Sequence, residues 1–157
     1  MTVEKLYEDY ASIIYYFLLK LTKSNEVAND LTQDVFIVAL NKFSDKVEKP
    51  KSWLMKIAYN LSLKHFNNSK KEVISSEVSE TFTEVEKIDW KIIRSDIEQM
   101  LTNEKELYLS VFLLKMDYQL SHREIANILS KPTSSIVRHL DKIRKIIEAK
   151  YGNILHK

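Results

Sequence analysis

Polar and basic side chains recur on one side of a C-terminal segment of the chain. Ser135, Arg138, His139 and Lys142 follow one another at intervals of three, one and three residues, so a helix presents them together. Arginine and lysine suit phosphates or guanine edges, whereas serine and histidine are shorter hydrogen-bonding groups. The segment therefore predicts a helical surface that contacts DNA.

The residues before this segment predict how such a helix is held. Ser121 followed by Glu124 is a capping box that starts a short helix, and Lys131-Pro132-Thr133 breaks that helix before the next one begins. In the second helix four apolar residues lie within about 60° of one another at 100° per residue and predict its buried side: Ile136, Leu140, Ile143 and Ile147. A capped helix, a tight turn and a longer helix with a basic outer side are typical of a helix-turn-helix. The alternative is an ordinary helical hairpin with a solvated outer side.

A second candidate surface lies in the segment 50–68. Trp53, Lys56, Asn60 and Lys64 project within about 80° of one another on a helix, together with Asn67. A neighbouring apolar face is formed by Leu54, Ile57, Ala58 and Leu61. A tryptophan beside lysines and amides can stack bases and hold a nucleic-acid backbone. The alternative is that Trp53 packs at the edge of the core with lysine stems lying over it.

Hydrophobic periodicity predicts an all-α protein. The first helix is expected over 3–22, the second is capped by Ser24 or Asn25, and the third starts at Pro50 and ends near Asn68. A fourth helix includes Ile88, Ile92, Ile97 and Leu101. We expect Asn103 and Glu106 to form a capping box for the fifth helix, and the last helix to end before Gly152.

The charge distribution divides the chain into three parts. Residues 1–71 carry a net charge of +3, residues 72–86 carry −5 from five glutamates, and residues 87–157 carry +4. The acidic part is rich in Ser, Thr and Glu and lacks a sustained apolar period. We therefore expect two small helical domains, 1–69 and 87–157, joined by a flexible acidic linker at 70–86.

Several classes of protein are disfavoured by the composition. The chain contains one Gly and no Cys, which argues against a β-rich fold, disulfides and thiolate metal sites. No apolar run is long enough to cross a membrane or to serve as a signal peptide, so we expect a cytoplasmic protein with no membrane insertion of its own.

Three segments in order resemble the extracytoplasmic-function (group IV) sigma factors of bacterial RNA polymerase, of the sigma-70 family. DLTQDVFIVALNKF (30–43) resembles the polymerase-binding helix, and KSWLMKIAYNLSLKHFNNSKK (51–71) resembles the promoter-melting segment. LSHREIANILSKPTSSIVRHLDKIRK (120–145) resembles the helix-turn-helix that reads the minus-thirty-five element. The resemblance implies a promoter-specificity factor whose partners are core RNA polymerase and promoter DNA, and in some members an anti-sigma factor. It implies no cofactor, no metal and no catalysis.

The resemblance also implies roles for particular residues. Three side chains would bind polymerase: Asp30, Gln33 and Asp34. Residues 44–49 and Asn60 would read a flipped minus-ten base beside Trp53, Lys56 and Lys64. The acidic linker would lie toward the RNA path of the polymerase. Ser135, Arg138, His139 and Lys142 would meet the upstream element.

This sequence departs from the family at two points of the helix-turn-helix. Ser130 stands where a small residue, often Gly, is usual, and the Lys131-Pro132 pair is unusual there. An Arg common on the recognition helix aligns with His139. The resemblance therefore supports DNA contact by the second helix of the helix-turn-helix more strongly than it supports any pairing of a residue with a base.

Other function classes fit the sequence less well. An enzyme is disfavoured because the four histidines lack metal-ligand spacing and no phosphate-binding glycine loop is present, although Asp30 and Asp34 could share a helix face and bind Mg²⁺. A helix-turn-helix regulator that binds duplex DNA as a dimer is the first alternative. A helical protein-interaction adaptor is the second.

Overall fold

The computed structural model describes residues 2–68 and 89–155, and all regular structure in these two ranges is α-helical. The helices are α1 (Val3–Thr22), α2 (Asn25–Lys42), α3 (Pro50–Asn68), α4 (Trp90–Glu104), α5 (Glu106–Met116), α6 (His122–Leu129) and α7 (Thr133–Leu155). The predicted all-α fold is thus confirmed, and α1 has the predicted bounds. The linker expected at 70–86 lies outside the described residues.

Helices α1, α2 and α3 pack together around an apolar core. Leu6, Ile14 and Phe17 of α1 are completely or almost completely buried, and Ala28 and Ala39 are the small buried residues of α2. Small side chains let helix backbones approach closely. The larger side chains of α1 fill the space between the helices. The Ser24 hydroxyl accepts from the Val27 amide at 3.2 Å, which confirms Ser24 as the cap of α2.

Helices α4 to α7 form a second group around α5. Seven consecutive residues of α5, from Tyr108 to Leu114, are buried, which makes α5 the central helix of this group. The carboxylate of Asp96 in α4 binds two side chains of α7, Lys150 at 2.7 Å and the Tyr151 hydroxyl. These bonds lower the pKa of Asp96 and fix the far end of α7 against α4.

The two groups touch one another. Helix α3 lies against α6, and α1 reaches α5. One apolar cluster therefore runs through both groups of helices.

Two predicted helix boundaries were wrong. Asn103 lies within α4 and does not cap α5; Lys105 precedes α5 and makes no side-chain capping bond. The buried Leu101 lies one turn before the end of α4 and keeps this last turn in the helix. Gly152 does not end α7, which continues to Leu155. A single glycine lowers helix stability by only about 1 kcal/mol relative to alanine. The bonds of Lys150 and Tyr151 to Asp96 hold the preceding turn in place.

Within the described ranges, no helix combines the length and the apolar character that crossing a bilayer requires. The same ranges contain no group of three or more His, Asp or Glu side chains arranged to hold a metal ion.

Candidate functional site

The outward side of α2 carries the three residues expected to bind a protein. Asp30, Gln33 and Asp34 are all exposed, because the opposite side of the helix supplies the residues that pack on α1 and α3. The same outward side continues into Ile37 and Leu40, whose exposed fractions are 55% and 64%. At 100° per residue these five positions span about 120° of the helix. An acidic stripe that continues into exposed aliphatic side chains is typical of a surface for a protein partner.

Sequence reasoning missed Ile37 and Leu40. Their signal was present, since both continue the spacing of three and four residues that starts at Asp30. The pattern alone does not single them out, because apolar residues on an amphipathic helix are ordinarily assigned to the core.

The stripe on α3 divides into two parts with different environments. Asn60 and Lys64 are exposed, whereas Trp53 is half-buried with its ring centroid 5.8 Å from that of Phe43. The Lys56 amino group donates to the Asn127 side chain of α6 at 3.1 Å. The structure thus keeps all four predicted residues on one side of α3, and two of them also contact neighbouring parts of the protein.

The helix-turn-helix is built as the sequence predicts. The Ser121 hydroxyl accepts from the Glu124 amide at 3.1 Å, and the Glu124 carboxylate accepts from the Ser121 amide at 3.3 Å. Both bonds of the predicted capping box are present. At the other end of α6, Ser130 adopts the left-handed conformation with φ 55°, and the Lys131 amide donates to the Ala126 carbonyl at 2.9 Å. This C-terminal cap reverses the chain so that α7 can start at once.

Helix α7 is anchored by its apolar stripe and presents its basic side outward. Ile136 and Ile143 are buried, and Leu140 and Ile147 are partly buried, as predicted. On the other side Arg138 and Lys142 are exposed, while Ser135 and His139 are half-buried. A guanidinium N–H of Arg138 donates to the Ser135 hydroxyl at 3.2 Å, so these two polar groups lie side by side.

The basic side of α7 is completed by Lys105, which directly precedes α5, and by Tyr108 of α5. Lys105 and Tyr108 join Arg138, His139 and Lys142 around one shallow pocket. The Lys105 amino group lies 5.7 Å from the centre of the Tyr108 ring, and this ring lies 5.5 Å from that of His139. Three cationic side chains therefore converge on a concavity of the kind that accepts a phosphate.

Sequence reasoning missed Lys105 and Tyr108, and no signal in the sequence could have found them. They lie about thirty residues before the recognition helix, and only the packing of α5 on α7 brings the two segments together.

The His139 side chain is half-buried beside the basic pocket. Burial lowers its pKa, and the nearby charges of Lys105, Arg138 and Lys131 lower it further, whereas a hydrogen bond with the backbone of Ser135 raises it. The surroundings of His139 therefore disfavour its charged form.

The cations farther along α7 are paired with acids. Arg144 binds Asp141 at 2.8 Å and Glu148 at 3.1 Å, and Lys145 binds Asp141 at 3.2 Å. Within the part of the chain that the structure describes, Arg138 and Lys142 form no such ion pair. The unneutralised charge of α7 therefore lies at its first turns, beside the pocket.

Comparison with known proteins finds similarities that cover most of the chain. The family model for sigma-70 region 2 matches residues 6–72, which include α1, α2 and α3. The chain is 26% identical to the ECF RNA polymerase sigma factor SigM of Bacillus subtilis, over 97% of this chain and 96% of that protein. It is 28% identical to the RNA polymerase sigma factor YlaC of the same organism, over 91% of this chain and 88% of that protein.

A third relative in Bacillus subtilis, the ECF RNA polymerase sigma factor SigX, is 29% identical over 66% of this chain and 50% of that protein. The first two similarities extend through the helix-turn-helix as well as through the segment that the family model matches. The family model and these relatives together support an extracytoplasmic-function sigma factor of the sigma-70 family.

Proposed function

We propose that the chain binds core RNA polymerase and directs it to specific promoters. In this proposal the outward face of α2 binds the polymerase, and the outward faces of α3 and α7 bind the promoter. The observation that carries this proposal is the placement of these faces. Each of them lies on a separate helix, away from the apolar side of that helix, and carries the chemistry that its partner needs.

The face of α2 is the proposed polymerase surface. Asp30, Gln33 and Asp34 supply charge and hydrogen-bonding groups, and Ile37 and Leu40 supply apolar area that association would remove from water. Burial of apolar area gives affinity, whereas complementary charges guide the encounter and fix the orientation. Asp30 and Asp34 act here as protein-binding groups rather than as metal ligands.

The face of α3 is the proposed surface for the minus-ten element. A base can leave the stack at a cost of a few kcal/mol, which a pocket and an aromatic side chain can offset. Trp53 offers a half-exposed ring, Asn60 offers an amide for a base edge, and Lys56 and Lys64 offer charge for the backbone. The exposed turn at 44–49 lies directly before this helix and belongs to the same proposed surface.

The face of α7 is the proposed surface for the upstream element. Arg138 and Lys142 provide positive charge that has no acidic partner among the described residues, and Ser135 and His139 provide hydrogen-bonding groups. Lys105, which precedes α5, extends this surface beyond α7, and the buried Tyr108 of α5 lies behind it in the lining of the pocket.

A protein inhibitor such as an anti-sigma factor is a further proposed partner, and an apolar groove supports it. The exposed fraction of Met116 in this groove is 58%. Its apolar lining is bordered by the ion pair of Arg144 and Glu148, and the apolar residues are Phe112, Met116, Leu140, Ile143 and Ile147. All of these proposed partners, polymerase, promoter DNA and inhibitor, imply that the protein works in the cytoplasm.

Transcription with purified core polymerase tests the proposal. The wild-type protein should direct initiation at a subset of a genomic promoter library. The Asn60→Ala variant should change base preference within the minus-ten element, because a methyl group cannot pair with a base edge. Trp53→Ala should lose stacking of about 1–3 kcal/mol and show weaker permanganate reactivity of promoter thymines.

The controls separate DNA contact from folding. His65→Ala changes α3 on another side and should behave like the wild type. Both Trp53→Ala and Asn60→Ala should still bind core polymerase, since that surface lies on α2. Unchanged base preference and thymine reactivity in both variants would make Trp53 and Asn60 packing residues and would refute the role of α3.

A further inference from the structure

Val137 is an apolar side chain that stands exposed on α7, near the start of the helix. Its exposed fraction is 49%, and no other large apolar side chain that the structure describes in α7 is exposed to this degree. The helix enters the apolar core through Ile136 and Ile143 instead. A β-branched residue also forms helices less readily than most others. Neither core packing nor helix propensity therefore accounts for a valine at this position.

Val137 lies on one flank of the outward face of α7, and the basic pocket lies on the other flank. At 100° per residue, Val137 is about 100° around the helix from Arg138 and about 140° from Lys142. The exposed Ser134 lies between Val137 and Arg138. Arg138 leans toward the pocket, since its guanidinium donates to the Ser135 hydroxyl at 3.2 Å. The outward face thus has one cationic flank and one apolar flank.

The acidic residue next to Val137 is compensated within the helix. Asp141, one turn after Val137, binds Arg144 at 2.8 Å and Lys145 at 3.2 Å. The hydrogen bonds from Arg144 and Lys145 hold the pKa of Asp141 below its ordinary value. The carboxylate is therefore charged, but two cations offset its repulsion of phosphates. The flank that carries Val137 can approach DNA without an uncompensated negative charge.

The major groove offers one chemical group that suits this flank. An α-helix with its side chains is about 10–12 Å wide and nearly fills a groove about 12 Å wide, so both flanks of the helix meet DNA. Phosphates suit the cationic flank, whereas an apolar side chain gains nothing from removing water around a phosphate. Among the base edges in this groove, the C5 methyl group of thymine is the apolar partner.

We infer that Val137 is a specificity-determining residue that packs on the C5 methyl group of a thymine, so that the upstream element has an A·T pair at the position facing this residue. The inference rests on the function proposed above for α7, and it names a base where that proposal names only a surface. The basic pocket attracts the phosphates of any DNA. Val137 distinguishes thymine from the other bases.

Deoxyuridine tests this contact, because uracil differs from thymine only in lacking the C5 methyl group. Each thymine in either strand of the upstream element is replaced in turn, and the affinity of the holoenzyme for the promoter is measured. At the position facing Val137, uracil should weaken binding of the wild-type holoenzyme about fourfold, the change expected when one methyl group is no longer buried.

Variants at position 137 identify the residue that senses the methyl group. Val137→Ala should bind thymine and uracil DNA equally at this position, and its circular dichroism should stay unchanged because the side chain is exposed. Val137→Thr keeps one methyl group and the branched shape, so it should retain part of the preference for thymine. The control Trp90→Ala removes an exposed apolar side chain from α4 and should keep the full wild-type ratio.

A second experiment adds the methyl group instead of removing it. A C·G pair placed at the same position, with cytosine in place of thymine, should weaken wild-type binding. Replacing this cytosine with 5-methylcytosine, which carries the methyl group on the same ring carbon, should recover about fourfold. The Val137→Ala holoenzyme should not respond to this methylation.

The outcomes distinguish this inference from the proposed function. If Arg138→Ala and Lys142→Ala weaken upstream binding but Val137→Ala depends on every thymine methyl group as the wild type does, the thymine contact is wrong and the function proposed for α7 stands. Equal weakening of Val137→Ala on thymine and uracil DNA would place Val137 on the backbone and also overturn the contact, as would an upstream element without thymine in either strand. If the Arg138 and Lys142 variants bind the upstream element as the wild type does, the function proposed for α7 is wrong and the inference falls with it.

Discussion

The amino group of Lys142 gives the sharpest test of how α7 meets DNA. It faces the pocket shared with Lys105 and Arg138 and has no acidic partner among the described residues. Convergence of three cations suits one phosphate group, whose charge is the same at every base pair. We therefore expect Lys142→Ala to remove one backbone contact and no base contact.

The size of the effect follows from counterion release. Each phosphate contact contributes about 0.9 to the slope of log affinity against log salt concentration, so the variant should have a slope shallower by about 0.9. Between 50 and 200 mM salt, the affinity ratio of wild type to variant should shrink by about 3.5-fold. Loss of a base contact would instead cost about 1–3 kcal/mol at one promoter position.

The measurement is the affinity of the holoenzyme for promoter DNA at several salt concentrations and on promoters with changed upstream bases. It separates loss of a phosphate contact from loss of a base contact. The matched control is Arg144→Ala, which removes a cation of the same helix that is already paired with Asp141 and Glu148. Its slope should equal that of the wild type. A slope that stays at the wild-type value in Lys142→Ala, or one that falls equally in both variants, would refute the assignment of a phosphate to this pocket.

Three further predictions concern the turn, the polymerase surface and the linker. Ser130→Gly should stabilise the protein by roughly 0.5–1 kcal/mol in thermal unfolding, because Gly adopts φ 55° without steric cost. The greater conformational entropy of Gly in the unfolded chain offsets only part of this gain. The control Ser134→Gly, within α7, should destabilise the protein. Replacing Ile37 and Leu40 with Ser should weaken polymerase binding at least about tenfold in a titration while leaving the circular dichroism unchanged, since both side chains are exposed; undiminished binding would exclude them from the interface. Limited proteolysis should cut first within 70–86, and equal protection of that segment and the helices would contradict two separately folding domains.

The local structure of the helices was largely predictable from the sequence. The starts of α2, α3 and α6 follow from Ser24, Pro50 and the pair Ser121 and Glu124, because caps and a first-turn proline act on backbone groups within the same turn. The Asn103 prediction failed because a capping signal competes with packing. Leu101 keeps the end of α4 in place, and this advantage is visible only when its neighbours are known.

The composition of the sites was less predictable than their location. The faces of α2, α3 and α7 were found because each places three or four polar residues at helical spacing. Lys105 was missed because it comes from another helix, and a periodic pattern on one helix carries no information about which other helix lies beside it. The lowered pKa of His139 has a similar origin, since it results from burial and from neighbours that include Lys105.

The contact between α3 and α6 shows why one helix can have a buried side that its pattern does not reveal. The sequence predicts an apolar face through Leu54 and Ala58, and this face does pack in the core. Ser52 is buried as well, although a serine in the first turn of a helix ordinarily signals solvent or a cap. It is buried because its small hydroxyl donates to Glu124, so a polar residue provides close approach and a hydrogen bond at once.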